Sequence, residues 1–336
     1  MSVADVMIGV LWAGLTAYAV LGGADFGAGV LQLLMGRGAH GRSRRTAIAA
    51  AMGPVWEANH VWLIFFVTGL LTAFPTAFSA LGSALLAPAM LALVAIVLRG
   101  AALAFAAQLS GTGRTRPLRL LLGASSAVAP VMFGAIAGGL ARERLVVTGG
   151  TVRAGGGLSL WLGPFQLAIG LLALAACTAL AATFLTVEAD GDAPLTRAFR
   201  RVALRATAAS AGLAAAALPL SALLARPLFR GLTGRGLPAV LTGLVAFVVA
   251  VAALHGRRDR LARGAIVLAT AALMWGWGLA QFPRLVGPRL TVAEAAAPPV
   301  ELRAVAVALG AGAVLLIPAL GLLYGAFRRQ ARSTGP

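Results

Sequence analysis

Stretches of twenty or more almost wholly apolar residues recur from one end of this 336-residue chain to the other, parted by short connections that carry arginine. A helix rises about 1.5 Å per residue, so each stretch can cross the roughly 30 Å hydrocarbon core of a bilayer. The pattern predicts nine transmembrane helices, over residues 5–35, 46–73, 77–107, 118–140, 159–187, 201–224, 236–255, 263–283 and 303–327. The fold class expected is an all-α polytopic membrane protein: a single integral membrane domain over 1–336, with helices grouped roughly as 1–140 and 159–327 about an outer loop at 141–158. The first span is too long for a secretory signal and no basic region precedes it, so it is expected to be a retained helix starting at Met1.

Composition agrees with the pattern. Hydrophobic residues make up 60% of the chain and charged residues 11%, well outside the range of soluble domains. The chain has no lysine, so its 28 basic residues are all arginine. Its formal net charge of +18 would suggest nucleic acid in a soluble protein. Here the arginines sit in small groups at helix ends, where membrane topology and anionic lipid headgroups explain them. The connections at 36–45, 108–119, 188–205, 256–263 and 328–336 hold 18 of them, and the alternate connections with the start of the last span hold 9. By the positive-inside rule the N-terminus is expected outside and the C-terminus in the cytoplasm. The single cysteine, Cys177, lies within a span and excludes disulfide frameworks and CxxC chemistry.

Two acids break the apolar pattern. Asp25, in GGADFGAG, and Glu57, in GPVWEANHVW, lie deep in the first and second spans, while the other eight acids fall near span ends or in connections. A charge at that depth is costly and marks a bundle interior or a proton path. Each acid is twelve residues from an arginine of the 36–45 connection, about 18 Å along a helix, so the two are expected at one level. Arg99, deep in the third span, is the natural charge partner. His60, one turn after Glu57, shares its helix face. Each also has a structural reading: Asp25 as a hydrogen-bond partner of a neighbouring helix, Arg99 as a counter-ion. A lone intramembrane histidine supplies only one ligand, so no metal or cofactor site is expected in this chain. Gly22, Gly23, Gly27 and Gly29 crowd the first span and predict close helix packing there. Trp161, Trp275 and Trp277 suit an interfacial belt, with quinone stacking as the functional alternative.

GGADFGAG, the Trp56–Glu57–Ala58–Asn59–His60–Val61–Trp62 run followed by TAFP, Leu98–Arg99–Gly100, and QFPRLVGPRLTVAEAA before the last span together resemble subunit II of the cytochrome bd-type quinol oxidases, the CydB family. The resemblance runs along essentially the whole chain in order. It implies two four-helix bundles plus a peripheral helix. It further implies a heterodimer with a haem-bearing subunit I that holds haem b and haem d, a small single-helix accessory subunit, contact with lipid or quinone, and quinol as the substrate of the complex. In that setting the chain binds no cofactor itself; it scaffolds subunit I and supplies a cytoplasmic proton route through Glu57, Asp25 and His60, with Arg99 as charge partner and Trp56, Asn59, Trp62, Gly23 and Gly27 as structural motif residues. A respiratory enzyme of the bacterial cytoplasmic membrane is the result. Where family members often carry an acid and then a base shortly after the third-span arginine, this chain has Ala104 and Ala106. The competing class is a proton-coupled secondary transporter, which would show inverted repeats with matched helix breaks. Pro130 and Pro219 interrupt spans but have no acid nearby. An assembly scaffold without proton traffic is a third reading.

Overall fold

The computed structural model of the chain describes residues 2–36, 38–52, 55–108, 116–142, 145–148, 151–154, 157–287 and 289–333. The elements run α1 (Val3–Leu34), α2 (Gly38–Met52), α3 (Val55–Ala73), α4 (Pro75–Ala84), α5 (Leu86–Gln108), α6 (Arg116–Leu140), β1 (Leu145–Thr148), β2 (Thr151–Ala154), α7 (Pro164–Glu188), α8 (Ala193–Leu224), α9 (Arg226–Thr233), α10 (Leu237–His255), α11 (Asp259–Gln281), β3 (Arg284–Val286), β4 (Leu290–Thr291), α12 (Val292–Ala295) and α13 (Pro299–Ser333). Among the described residues, α1, α5, α6, α7, α8, α10 and α11 are each long and apolar enough to cross a membrane, and the bent pair α3–α4 adds an eighth candidate. The 35-residue α13 occupies the place of the expected ninth span.

One of the expected spans is divided. The second, drawn over 46–73, takes in the end of α2 and the whole of α3, with residues 53–54 between them outside the described residues. The third, drawn over 77–107, is split at Leu85 into α4 and α5. Pro75 starts α4 as its first residue, a position where the missing N–H costs nothing. The chain bends by 114° between α3 and α4, so α4 turns away from the α3 axis. The connection expected as a plain outer loop at 141–158 contains an antiparallel hairpin, Leu145 opposite Ala154 and Thr148 opposite Thr151.

Helix α1 is the hub, touching α3, α6, α7 and α11, which lie in both halves of the sequence. Its N-terminal end packs into an apolar cluster with Leu70, Phe74, Leu145 and Val286 around Met7 and Leu11. Its other end joins Ile48, Leu185, Phe199 and Leu254 around Leu31 and Met35. Small residues set the spacing between helices. A Cβ added at Gly134 would fall 2.6 Å from Gly170 Cα, and one at Gly170 would fall 2.7 Å from the Val131 carbonyl, so α6 and α7 meet backbone to backbone. In the N-terminal half of α1, Trp12 stacks on Trp277 of α11, with centroids 5.4 Å apart and planes 8° apart, and its Nε1 donates to the Met274 carbonyl at 3.1 Å. Trp277 is half-buried against Trp12, whereas Trp275 is exposed.

Polar closures hold the ends. Ser2 and Asp5 form a capping box at the start of α1, as do Thr291 and Glu294 at the start of α12. The bonds from Thr291 hold the Glu294 carboxyl below the usual carboxylate range. At the arginine-rich end, Arg200 of α8 grips Asp259 of α11 through two bonds, Nε at 3.1 Å and Nη2 at 2.5 Å. Arg263 donates to Glu188 at 3.2 Å and lies over the Phe184 ring. The Asp259→Asn variant keeps the shape of the Arg200 partner and removes its charge. It is expected to cost about 1 kcal/mol, read as a drop of a few degrees in the melting temperature of the solubilised protein.

Candidate functional site

The polar cluster assembles from three helices around α1. Asp25, half-buried, lies nine residues before the end of α1 at Leu34, about 14 Å along the axis. Asn59 of α3 is buried and its Nδ2 donates to Asp25 Oδ2 at 2.5 Å. Arg99 of α5 is fully buried, its Nη2 donates to the main-chain carbonyl of Asp25 at 3.2 Å, and its guanidinium lies 5.2 Å from the centroid of the Phe26 ring. A guanidinium at such a position is tolerable only among acceptors and π-faces.

One level toward the N-terminus of α1, the buried Tyr18 hydroxyl shares a 3.3 Å hydrogen bond with His60 Nδ1. The His60 ring is held between Tyr18 and Phe26, with centroids at 5.8 Å and 6.2 Å. Trp62 packs in the same apolar pocket beside Tyr18, Phe26 and Ala129. Toward the other end of α1, buried Gln32 donates from Nε2 to the Arg45 carbonyl at 3.4 Å. Tyr18, Asp25 and Gln32 are each seven residues apart, two helical turns or about 10.5 Å, and so form one polar file on one face of α1. Ser126 of α6 is fully buried next to this file, against the bare Cα of Gly29.

Of the sequence-predicted residues, the structure thus brings Asp25, Asn59, His60 and Arg99 into one cluster, with Trp62 at its rim. Gly23 and Gly27 line the α1–α7 contact. A Cβ at Gly23 would sit 3.3 Å from Cys177 Sγ, and one at Gly27 would overlap the Cys177 carbonyl. Trp56 and Glu57 belong to α3, and their side chains lie outside the described residues. Ala104 is exposed and Ala106 half-buried on α5. Tyr18 and Gln32 were not predicted; their signal was the seven-residue spacing from Asp25. Among the described residues, no group of three or more His, Cys, Asp or Glu side chains could hold a metal ion. What the cluster offers instead is a chain of exchangeable protons: a carboxylate bonded to an amide, a phenol bonded to an imidazole, and a fixed cation beside them.

The chain is similar to several known proteins. The family described as cytochrome bd terminal oxidase subunit II matches residues 3–327. A Bacillus subtilis (strain 168) protein, provisionally named as subunit II of a cytochrome bd menaquinol oxidase, is 26% identical over 97% of this chain and 96% of its own length. Subunit 2 of the cytochrome bd-I ubiquinol oxidase of Escherichia coli (strain K12) is 26% identical over 60% of this chain and 52% of its own length. A chain in the solved structure of the bd oxidase from Geobacillus thermodenitrificans superposes with a TM-score of 0.76 at 25% identity, covering 97% of this chain and 99% of that one.

Proposed function

This chain belongs to the cytochrome bd terminal oxidase subunit II family, and from that premise we propose that it is the haem-free subunit of a quinol:oxygen oxidoreductase, scaffolding a haem-bearing subunit I and passing it protons from the cytoplasm. The relatives at 26% identity are named as quinol oxidase subunits, one for menaquinol and one for ubiquinol. Haem b and haem d in the partner would carry out electron transfer and oxygen reduction; this chain's residues hold and move protons. A lipid or quinone contact and a small accessory helix complete the proposed assembly. The N-terminus lies outside and the C-terminus in the cytoplasm, which the two-to-one arginine bias supports.

The observation that carries the proton role is the half-buried Asp25 carboxylate, bonded to Asn59 and lying on the same face of α1 as Gln32, whose amide reaches the main chain of the arginine-rich connection at Arg45. In this reading Asp25 and Glu57 alternate between protonated and ionised forms, Asn59 orients Asp25, and Arg99 lowers the cost of the ionised form. His60, bonded to Tyr18, extends the exchangeable groups away from the cytoplasmic side.

Asp25→Asn and Glu57→Gln, each made in the assembled oxidase, are expected to leave haem content unchanged and to lower oxygen consumption by about tenfold or more, equivalent to ~1.4 kcal/mol in the limiting barrier. Stopped-flow proton uptake with a pH dye checks it. Wild-type rates in both fully assembled variants would reduce the chain to a scaffold.

A further inference from the structure

Away from the Asp25 cluster, the α10–α11 hairpin carries two adjoining cavities. The larger, about 620 Å³, is a groove lined by apolar side chains of both helices, among them Leu241, Val245 and Val249 of α10 and Leu261 and Leu268 of α11. The smaller, about 290 Å³, is a polar basin at the turn between the helices, where Arg257, Arg258 and Arg260 face Asp190 and Asp259. Arg260 and Leu261 line both, so groove and basin form one amphipathic site. Asp259 is already engaged by two nitrogens of Arg200, Nε and Nη2. That leaves Asp190 alone against three guanidinium groups.

We propose that this composite site binds an anionic phospholipid, with its phosphate in the arginine basin and one acyl chain along the groove. The charge excess selects the ligand: guanidinium groups bind phosphate through paired N–H donors, and anionic headgroups accumulate where arginines meet the membrane surface. A zwitterionic headgroup would bring a further cation among the arginines, and an apolar helix of another protein would leave them without an anion. The dimensions agree. From Arg260 to Leu268 is eight residues, about 12 Å of helix, close to the ~15 Å depth of one leaflet's hydrocarbon. At mid-groove Gly264 presents open space, since a Cβ there would meet nothing within 4 Å. That is the room an acyl chain needs.

The test uses the oxidase as purified from membranes, stripped of loose lipid by detergent and then exposed to micelles containing phosphatidylglycerol or phosphatidylcholine, with bound lipid read by native mass spectrometry of the released subunit. Wild type is expected to retain phosphatidylglycerol and not phosphatidylcholine. The triple change Arg257→Gln, Arg258→Gln, Arg260→Gln removes the charge, and Gly264→Phe fills the groove while leaving the arginines in place. Each is expected to lose the retained phosphatidylglycerol, and because they alter opposite ends of the site, misfolding of one leaves the other as the test. Equal retention of the two lipids by wild type, or undiminished phosphatidylglycerol in a folded variant, overturns the proposal. The readout is bound lipid, so it is independent of whether Asp25 carries protons.

Discussion

Leucine in place of Gly27 is expected to remove the assembled protein from membranes. The Cβ that any larger residue brings would overlap the Cys177 carbonyl and fall 2.8 Å from Ala181 Cβ. The obstacle is α7 backbone, which cannot swing aside as a side-chain tip can. Inserting atoms into a packed interior commonly costs 1–3 kcal/mol; here the two helix axes must part as well, so a loss of roughly 3 kcal/mol or more is expected. Since α1 also packs on α3, α6 and α11, moving it disturbs the contacts that hold Asn59 and Arg99 against Asp25. Gly9→Ala on the same helix is the control. Its added methyl meets nothing within 4 Å, and alanine favours the helix by up to about 1 kcal/mol. Immunoblots of membranes and the haem absorbance of the complex read both variants. Normal abundance of Gly27→Leu would show that α1 and α7 do not approach this closely.

Arg99→Leu should rank next. The guanidinium is fully buried, donates to the Asp25 carbonyl and covers the Phe26 ring. Leucine restores part of the volume and none of the charge. Stripping the cation from a buried polar cluster typically costs about 3–5 kcal/mol, because the groups it faced stay buried. If electrostatic balance is the reason, Asp25→Asn in the same chain relieves part of the loss, and the two changes are non-additive by about 0.5–3 kcal/mol in the direction of rescue. The melting temperature of the solubilised complex, measured for the four corners of the cycle, decides it. Strict additivity would mean that Arg99 stabilises by packing and its main-chain bond alone, with no charge coupling to Asp25.

The helical spans were legible because lipid leaves a chain few options: every backbone N–H and C=O must be satisfied internally, so a twenty-residue apolar run reads as a helix. The internal breaks were harder. An apolar run looks the same whether its helix continues or stops, and the division at Leu85 was signalled only by Pro88, three residues on and within the first turn of α5. The strand pair Leu145–Thr148 and Thr151–Ala154 is written in LVVT and TVRA flanking a Gly-Gly pair, a signal of β-branched residues and turn glycines far shorter than the apolar runs on either side of it. At the site, depth arithmetic brought Asp25 to the level of the α3 motif, and the Asn59 bond to Asp25 joins the two helices there. The Tyr18–His60 bond was not foreseen, since a tyrosine in an apolar span stands out less than an acid. Trp277 stacks on Trp12, a pairing between α1 and α11 that local sequence cannot reveal.

Tyr18, Asp25 and Gln32 share one face only because the helix between them holds a whole number of turns. One residue inserted between Tyr18 and Asp25 would rotate Asp25 and Gln32 by about 100° relative to Tyr18. It would carry Asp25 away from Asn59 and turn Gly27 off the α7 backbone, with every side chain of the cluster still present. The cluster therefore depends on phase along α1 as much as on composition, and in this stretch the length of the helix is under the same constraint as its acids.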